Sequence, residues 1–364
     1  MISPAKIGIL HPYLEGRESD ILSGQYPYQH TWGCMSLRQS GNFSSEVIKQ
    51  RDSRLPQFLI KIINRFFFPR SAGYKYEFRF SQKYGHLDII YSVSGPLSIT
   101  NRLKKTKLVS WVFRPPAKSS TNPFHPYNES NLKKNHGFLC LTPTAEKYFS
   151  NFAPSRFIPW CVDLDLFDGK PSINQKTESF FLATGKTNRD YKTLIDSCKN
   201  SNINLRIIGP SDQKPISLPD NISWISTSTD PPDQAIDYKT LREWYAQCIG
   251  VCIPLRGDPE DTCGYTNLLE AMAMRKPVIM TKSGCLHINP ADRKCGLLVR
   301  PNSPEDWAST MNELSKNLNL RKELGANGRK IAEEEFSPLK FDTAVEDFLQ
   351  FVLGEDKHSK INGI

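Results

Sequence analysis

Short apolar runs alternate with amphipathic stretches along almost the entire chain. The apolar runs predict β-strands at residues 6–10, 87–91, 107–112, 137–142, 156–162, 179–184, 205–209, 222–225, 249–254, 277–281 and 296–300. Apolar residues at helical spacing predict helices at residues 191–200, 241–247, 267–276 and about 339–352. Strands that alternate with helices over such a length are typical of α/β proteins with parallel sheets.

One polar segment divides this pattern into two halves. Residues 168–178 read DGKPSINQKTE, contain Gly and Pro, and show no periodicity, so they predict a linker. We therefore expect a first doubly wound, Rossmann-like domain over residues 1–167 and a second over residues 179–336. The remaining residues, 337–364, are expected to form a C-terminal helix and tail.

Composition places the chain among folded globular proteins. Of its 364 residues, 38% are hydrophobic and 23% are charged. No apolar run approaches the roughly 20 residues of a membrane span, and the first residues do not have the pattern of a secretory signal peptide. The nine cysteines are scattered and form no C-x-x-C pair, which indicates reduced thiols in the cytoplasm.

Positive charge is concentrated in the first half of the chain. Residues 1–165 contain 22 Lys and Arg against 11 Asp and Glu, whereas the remaining residues contain 25 against 27. This asymmetry predicts that only the first half meets an anionic partner. An acidic membrane surface and a phosphorylated substrate both fit, while nucleic acid is not expected because no aromatic–basic RNA motif is present.

A basic and apolar segment at residues 54–70 stands out within that half. It places Leu55, Phe58, Leu59, Ile62, Ile63 and Phe66 at helical spacing and adds the charges of Lys61, Arg65 and Arg70. Such a helix can pack in the core, which is the commoner outcome. Alternatively, it can lie on an anionic bilayer, which would give the protein a peripheral place at the inner face of the membrane.

The strongest group of local signals lies between residues 258 and 281, which read DPEDTCGYTNLLEAMAMRKPVIMT. Gly264 allows a tight turn, and Thr266 is a suitable N-cap for the predicted helix that follows. The N–H groups at such a helix start favour a phosphate. Glu270 lies about 6 Å further along the helix axis, where a carboxylate can accept hydrogen bonds from a ribose. Helix geometry alone also allows Glu270 to be an ordinary surface residue, which is the commoner case.

The run GYTNLLEAMAMRKPVI resembles the donor-site helix of GT-B glycosyltransferases of the family-4 type, where E-x7-E leads into L-E-A-M-A-x-x-x-P-V-I. The second glutamate of that pattern falls on Glu270. The first falls on Thr262, so this chain lacks the carboxylate that contacts the sugar in the family. Other segments resemble the family in the same order over about residues 156–335: RFIPWCVDLDLF, FLATGKTNRDYKTLIDS, LRIIGP, DYKTLREWYAQCIGVCIPLR and CGLLVRPNSPE. The resemblance implies the GT-B fold, in which two Rossmann-like domains face each other across a cleft and a C-terminal helix crosses back.

The resemblance also implies which residues hold the donor. Lys186 and Arg189 match cations that neutralise the donor diphosphate, and such cations stabilise a leaving nucleoside diphosphate without a metal. Together with Glu270, which holds the ribose, they form the expected catalytic set. Further donor contacts are expected at Gly24, Gly185, Gly209, Arg256, Gly264, Tyr265, Thr266 and Asn267. The residues alone leave open whether Lys186, Arg189 and Arg256 are surface charges.

The function implied by the resemblance is transfer of a hexose-type sugar from a UDP- or GDP-linked donor to a hydroxyl of a glycan or lipid-linked acceptor. Retention of stereochemistry and the absence of a metal or other cofactor are implied in the same way. A nucleotide-sugar epimerase or phosphorylase of the same fold, and a non-catalytic sugar- or anion-binding module, remain alternatives. Relatives carry a His near the sugar where this chain has Phe113 and Arg114, so no acceptor-side role is assigned.

Other motifs argue against different enzyme classes. The chain contains no G-x-G-x-x-G after the first strand, no P-loop and no H-E-x-x-H pair. The D-x-D pattern of Asp163 and Asp165 resembles a manganese site, but no His or carboxylate cluster accompanies it, so we interpret it as part of a turn. His11 follows the first strand, where α/β sheets bind ligands, but a lone histidine is more often structural.

Overall fold

The computed structural model describes the whole chain except residues 1–3, 13, 15, 79, 99–104, 118–119, 172–178, 200, 228–235, 285 and 360–364. The chain divides into two compact units. Unit 1 comprises residues 1–19, 29–160 and 339–364, and unit 2 comprises residues 20–28 and 161–338. Residues 20–28 and 161–167, which the sequence placed in the first domain, therefore group with unit 2. Most of the predicted linker lies outside the described residues.

Unit 1 is built around a parallel six-stranded sheet. Its strands are β1 (Ala5–Leu10), β2 (Phe43–Val47), β3 (Ile89–Ser92), β4 (Lys107–Val112), β5 (Gly137–Cys140) and β6 (Ser155–Phe157). The strand order is β2-β1-β3-β4-β5-β6, and registers such as Ile7 opposite Ile89 align the carboxyl ends of the strands. Strands β3, β4 and β5 are buried along their whole length, as central strands of a parallel sheet must be.

Helices cover this sheet. They are α1 (Glu18–Leu22), α2 (Cys34–Gln39), α3 (Gln57–Phe67), α4 (Tyr74–Glu77), α5 (Phe80–Tyr84), α6 (Glu129–Leu132), α7 (Pro143–Phe149) and the C-terminal α13 (Pro338–Ser359). As predicted, α13 belongs to unit 1: Phe341 stacks on Trp111 at 5.5 Å, and Lys107 Nζ donates to the carbonyl of Val352 at 2.7 Å.

Unit 2 repeats this architecture. Its strands are β7 (Phe180–Thr184), β8 (Asn204–Pro210), β9 (Ile222–Thr227), β10 (Gly250–Ile253), β11 (Val278–Thr281) and β12 (Gly296–Val299). Its helices are α8 (Tyr191–Cys198), α9 (Tyr238–Gln247), α10 (Tyr265–Ala273), α11 (Pro304–Lys316) and α12 (Leu318–Glu335). The strands are all parallel in the order β12-β11-β10-β7-β8-β9. Two doubly wound, Rossmann-like units are therefore confirmed.

Two local predictions need correction. Strand β2 was not predicted, because its sequence FSSEV is polar and pairs only with β1 at the edge of the sheet. The prediction for residues 54–70 also changes: α3 is shorter, and of its apolar side chains only Ile60 is fully buried. None of the helices within the described residues has the length and apolar character needed to cross a bilayer.

Candidate functional site

The strand order of unit 2 reverses between β7 and β10. The chain runs outward from β7 through β8 to β9 and then returns to β10 on the other side of β7. In a parallel α/β sheet, such a reversal leaves a crevice at the carboxyl ends of the two strands, where ligands bind. The loops that leave this edge are linked by a β-bridge between Arg189 and Leu255.

Arg189 is buried at this edge, with only 4% of its surface exposed. Its guanidinium donates from Nε to the carbonyl of Thr184 at 3.2 Å, from Nη1 to the carbonyl of Thr187 at 2.8 Å and from Nη2 to Oδ1 of Asn267 at 2.7 Å. No Asp or Glu of the described residues forms a salt bridge with it. These neutral acceptors fix its position without a carboxylate partner.

Gly185 is required by this arrangement. Its φ angle is +126°, and a Cβ atom there would lie 2.4 Å from Nη2 of Arg189. A larger residue would therefore displace the guanidinium, besides being strained at this φ. Asn188 also has a positive φ, of 54°, and its amide donates to Oδ2 of the buried Asp261 at 2.6 Å, which ties the loop to the segment before α10.

The start of α10 faces the same loop through Asn267. The N-cap is Gly264, in the left-handed conformation at φ 85° and without a side-chain cap, so the prediction of Thr266 as N-cap is wrong. A Cβ at Gly264 would lie 2.7 Å from Cγ2 of Ile253, which explains the glycine. Leu268 donates the first helical hydrogen bond, to the carbonyl of Gly264. The N–H groups before it point outward from the helix end, which is the arrangement that favours an anion.

Glu270 is almost completely buried, with 2% of its surface exposed. Its Oε2 accepts a hydrogen bond of 2.8 Å from the hydroxyl of Tyr245 on α9. Burial raises the pKa of Glu270 to about 8, although the bond from Tyr245 acts in the opposite direction. Burial therefore favours the protonated form of this carboxyl group. Its role with a ribose stays a prediction.

One hydrogen-bond network joins these groups. The amide of Asn267 donates to the hydroxyl of Thr184 at 2.5 Å and approaches the hydroxyl of Tyr245 at 3.5 Å. Asn267 thereby connects the cation Arg189 with the carboxyl group of Glu270. Sequence reasoning missed Thr184 and Tyr245. The position of Thr184 at the carboxyl end of a predicted strand was a signal that could have found it.

The other predicted donor contacts lie in different environments. Lys186 and Arg256 are exposed on loops that follow β7 and β10. The ring of Tyr265 is buried and meets the ring of His287 at a centroid distance of 5.8 Å. Gly209 is needed for packing, because a Cβ there would lie 2.7 Å from Trp224. Gly24 is exposed in the segment 20–28 that groups with unit 2.

The D-x-D pattern and His11, which the sequence analysis did not interpret as ligand sites, make hydrogen bonds within the fold. Oδ2 of Asp163 accepts from the backbone N–H of Tyr28, and its Oδ1 accepts from those of Asp165 and Leu166, so the D-x-D pattern forms a turn. His11 is buried, with Nε2 2.8 Å from the carbonyl of His30, and burial lowers its pKa to about 4. Across the residues that the structure describes, no group of three His, Cys, Asp or Glu side chains could hold a metal ion.

Sequence comparison finds similarity to glycosyltransferases. The family model described as Glycosyl transferases group 1 matches residues 188–317, which include Arg189 and Glu270. A curated relative, an uncharacterized glycosyltransferase of Methanocaldococcus jannaschii, is 30% identical over 149 residues, which are 39% of this chain and 39% of that protein. The chain thus matches well under half the length of this relative.

Structural similarity extends over nearly the whole chain. Sucrose-phosphate synthase from Thermosynechococcus elongatus gives a TM-score of 0.67 at 14% identity over 96% of this chain and 100% of that one. A glycosyltransferase from Rickettsia africae gives 0.64 at 14% identity, over 97% and 99%. Anabaena HepE, solved in complex with UDP-glucose, gives 0.59 at 12% identity, over 95% and 99%. At sequence identities this low, the structural similarity shows the fold alone. This fold is the GT-B fold expected from the sequence.

Proposed function

We propose that this chain, whose residues 188–317 match the family model described as Glycosyl transferases group 1, transfers a hexose from a UDP- or GDP-linked donor to a hydroxyl of a glycan or lipid-linked acceptor. The observation that carries the proposal is the buried guanidinium of Arg189 beside the start of α10, which has no salt-bridge partner among the described residues. Burying a charge is costly unless a partner compensates it. A diphosphate supplies two negative groups that can meet Arg189 and the helix N–H groups together.

The proposed chemistry needs positive charge at the diphosphate. As the bond between the sugar C1 and the diphosphate oxygen breaks, negative charge develops on the leaving group. Arg189 is already oriented by its three acceptors, so it can stabilise that charge without rearranging. Lys186, exposed on the same loop, supplies a second cation. Glu270 and the N–H groups of residues 265–267 hold the ribose and a phosphate.

We propose a retaining, metal-independent course. The acceptor oxygen forms its bond to C1 on the face that the diphosphate leaves, and the acceptor proton passes to an oxygen of the departing phosphate. No protein carboxylate attacks the sugar in this course. Thr262 stands where the family has its sugar-contacting glutamate, so the sugar preference of this chain should depend on other groups. Because HepE was solved with UDP-glucose, UDP-glucose is the first donor to test.

A cytoplasmic location fits the thiols of the chain. Six of the cysteines that the structure describes are free and buried: Cys34, Cys140, Cys198, Cys248, Cys252 and Cys295. Free thiols persist in a reducing compartment. Peripheral contact with an anionic membrane is a separate proposal, which rests on unit 1.

The test compares Arg189→Met with Arg329→Met. Both substitutions remove a largely buried arginine, but Arg329 has an acid partner, Glu333, at 2.6 Å. Thermal shift with UDP and GDP, followed by release of nucleoside diphosphate from UDP-glucose and GDP-mannose with octyl glycosides as acceptors, gives the readout. We expect Arg189→Met to weaken nucleotide binding about 100-fold or more, in the range found for lost charge-assisted contacts, and Arg329→Met to lower only stability.

Three outcomes would contradict the proposal. Equal loss of nucleotide binding in the two variants would remove the special role of Arg189. Turnover of the donor that never depends on an acceptor would indicate an epimerase or phosphorylase. Nucleotide or sugar binding without turnover of any donor would indicate a binding module.

A further inference from the structure

Helix α3 of unit 1 turns large apolar side chains toward solvent. Phe58, Ile62 and Phe66 are 63%, 49% and 57% exposed. At 100° per residue they fall within about 80° of one another around the helix. Phe67, at the last position of the helix, is also exposed and meets Phe124 at a ring distance of 5.2 Å. The α3 face comprises Leu55, Phe58, Ile62 and Phe66.

The opposite side of α3 already attaches the helix to unit 1. Ile60 is buried, and both it and Ile63 pack into the hydrophobic core of the unit. Oδ1 of Asn64 accepts a hydrogen bond of 2.7 Å from the backbone N–H of Tyr74. The α3 face is therefore not needed to hold the helix in place. It nevertheless contains four of the twelve large apolar side chains that are exposed among the described residues.

The sequence of α3 and of the residues next to it is basic. Residues 53–76 contain the cations Arg54, Lys61, Arg65, Arg70 and Lys75 and no Asp or Glu. The first four of these cations are exposed. Lys61 and Arg65 lie beside the apolar stripe on the helix surface, by the same spacing of 100° per residue. The apolar side chains are therefore flanked by positive charge.

We propose that the α3 face docks on an anionic lipid bilayer. Phenylalanine and isoleucine side chains enter the boundary between headgroups and acyl chains, while flanking Lys and Arg meet lipid phosphates. A protein partner would need acidic groups arranged to match this one helix, whereas a bilayer supplies negative charge at any rotation. The apolar contact and the charge attraction together explain why the two kinds of side chain occur on one surface. This proposal does not depend on the transferase activity of unit 2.

The test is sedimentation of the full chain with vesicles. Vesicles of phosphatidylcholine with phosphatidylglycerol are compared with vesicles of phosphatidylcholine alone, at low and at physiological salt. Phe58→Ser/Ile62→Ser/Phe66→Ser should weaken binding to the anionic vesicles by about tenfold or more. Lys61→Gln/Arg65→Gln should weaken binding to the anionic vesicles by about 30-fold at low salt, because two cations that attract the lipid phosphates are lost. The loss should be smaller at high salt, because salt screens this attraction.

The matched control is Ile216→Ser/Leu318→Ser/Leu339→Ser, which removes three exposed apolar side chains elsewhere. It should bind vesicles like the wild type, and unchanged thermal midpoints should show that every variant is folded. Failure of the wild type to bind anionic vesicles at low salt would overturn the proposal. A loss of vesicle binding in the control variant equal to that in the α3 variant would overturn it as well. If instead light scattering finds a dimer that the α3 variant converts to a monomer, the face joins two copies of the chain and the proposal is also wrong.

Discussion

The carboxyl group of Glu270 should make unit 2 less stable as the pH rises, and Glu270→Gln should remove this dependence. Burial raises the pKa of Glu270 from 4.5 to about 8 in the folded protein. The folded state therefore holds the proton more tightly than the unfolded state. The stability that this provides is fully present below about pH 4.5 and is lost progressively as the pH rises to about 8.

The size of this loss of stability follows from the pKa shift of Glu270. Each pKa unit corresponds to 1.36 kcal/mol, so the raised pKa of Glu270 corresponds to about 4–5 kcal/mol in total. Between pH 5 and pH 8 the wild type should lose about 3–4 kcal/mol more than Glu270→Gln. Glutamine has nearly the same shape and can still accept the hydrogen bond from Tyr245, so the substitution should leave little cavity.

The assay is guanidinium unfolding followed by tryptophan fluorescence at several pH values from about 5 to about 8. The transition that Glu270→Gln shifts is the unfolding of unit 2. Glu323→Gln, at an exposed glutamate on α12, serves as control and should follow the wild type. If the wild type and Glu270→Gln lose stability in parallel over this range, Glu270 is ionised in the folded protein and the reasoning from burial is refuted.

Two further substitutions test the network around Glu270 and Arg189. Tyr245→Phe removes the hydroxyl that lowers the pKa of Glu270, so the loss of stability with pH should extend above pH 8, as unfolding at higher pH would measure. Gly185→Ala should cost about 1–3 kcal/mol, because φ is +126° and the new Cβ meets the guanidinium of Arg189. Gly24→Ala, with no atom within 4 Å of the new Cβ, should cost less in the same thermal denaturation. Equal costs at both glycines would contradict the proposed packing of Arg189.

The sequence predicted the sheets well because their central strands are apolar on both faces. The predicted strand at residues 107–112 coincides with β4, which is buried throughout. Strand β2 has one neighbour and half-exposed residues, so its sequence has no such pattern. For α3, periodicity predicted an amphipathic helix but did not indicate which side faces the protein. The packing of Ile60 and the exposure of Phe58 could be learned only from the tertiary structure.

The candidate site was predicted in part. The resemblance identified Arg189 and Asn267, which the structure joins by a hydrogen bond of 2.7 Å. Tyr245 was missed because it reads as an ordinary core position of α9, 25 residues before its partner Glu270. Thr266 was predicted as N-cap from its residue type, but the left-handed turn at Gly264 begins the helix two residues earlier. Long-range contacts and backbone dihedral angles of this kind have no local sequence pattern.

Hydrogen exchange with and without UDP or GDP tests the location of the donor most directly. A nucleoside diphosphate that binds Arg189 and the start of α10 should slow amide exchange in residues 184–190 and 264–270, and Arg189→Met should abolish this protection. Protection that is absent from both segments, or that is confined to unit 1, would contradict a donor site at this edge of unit 2.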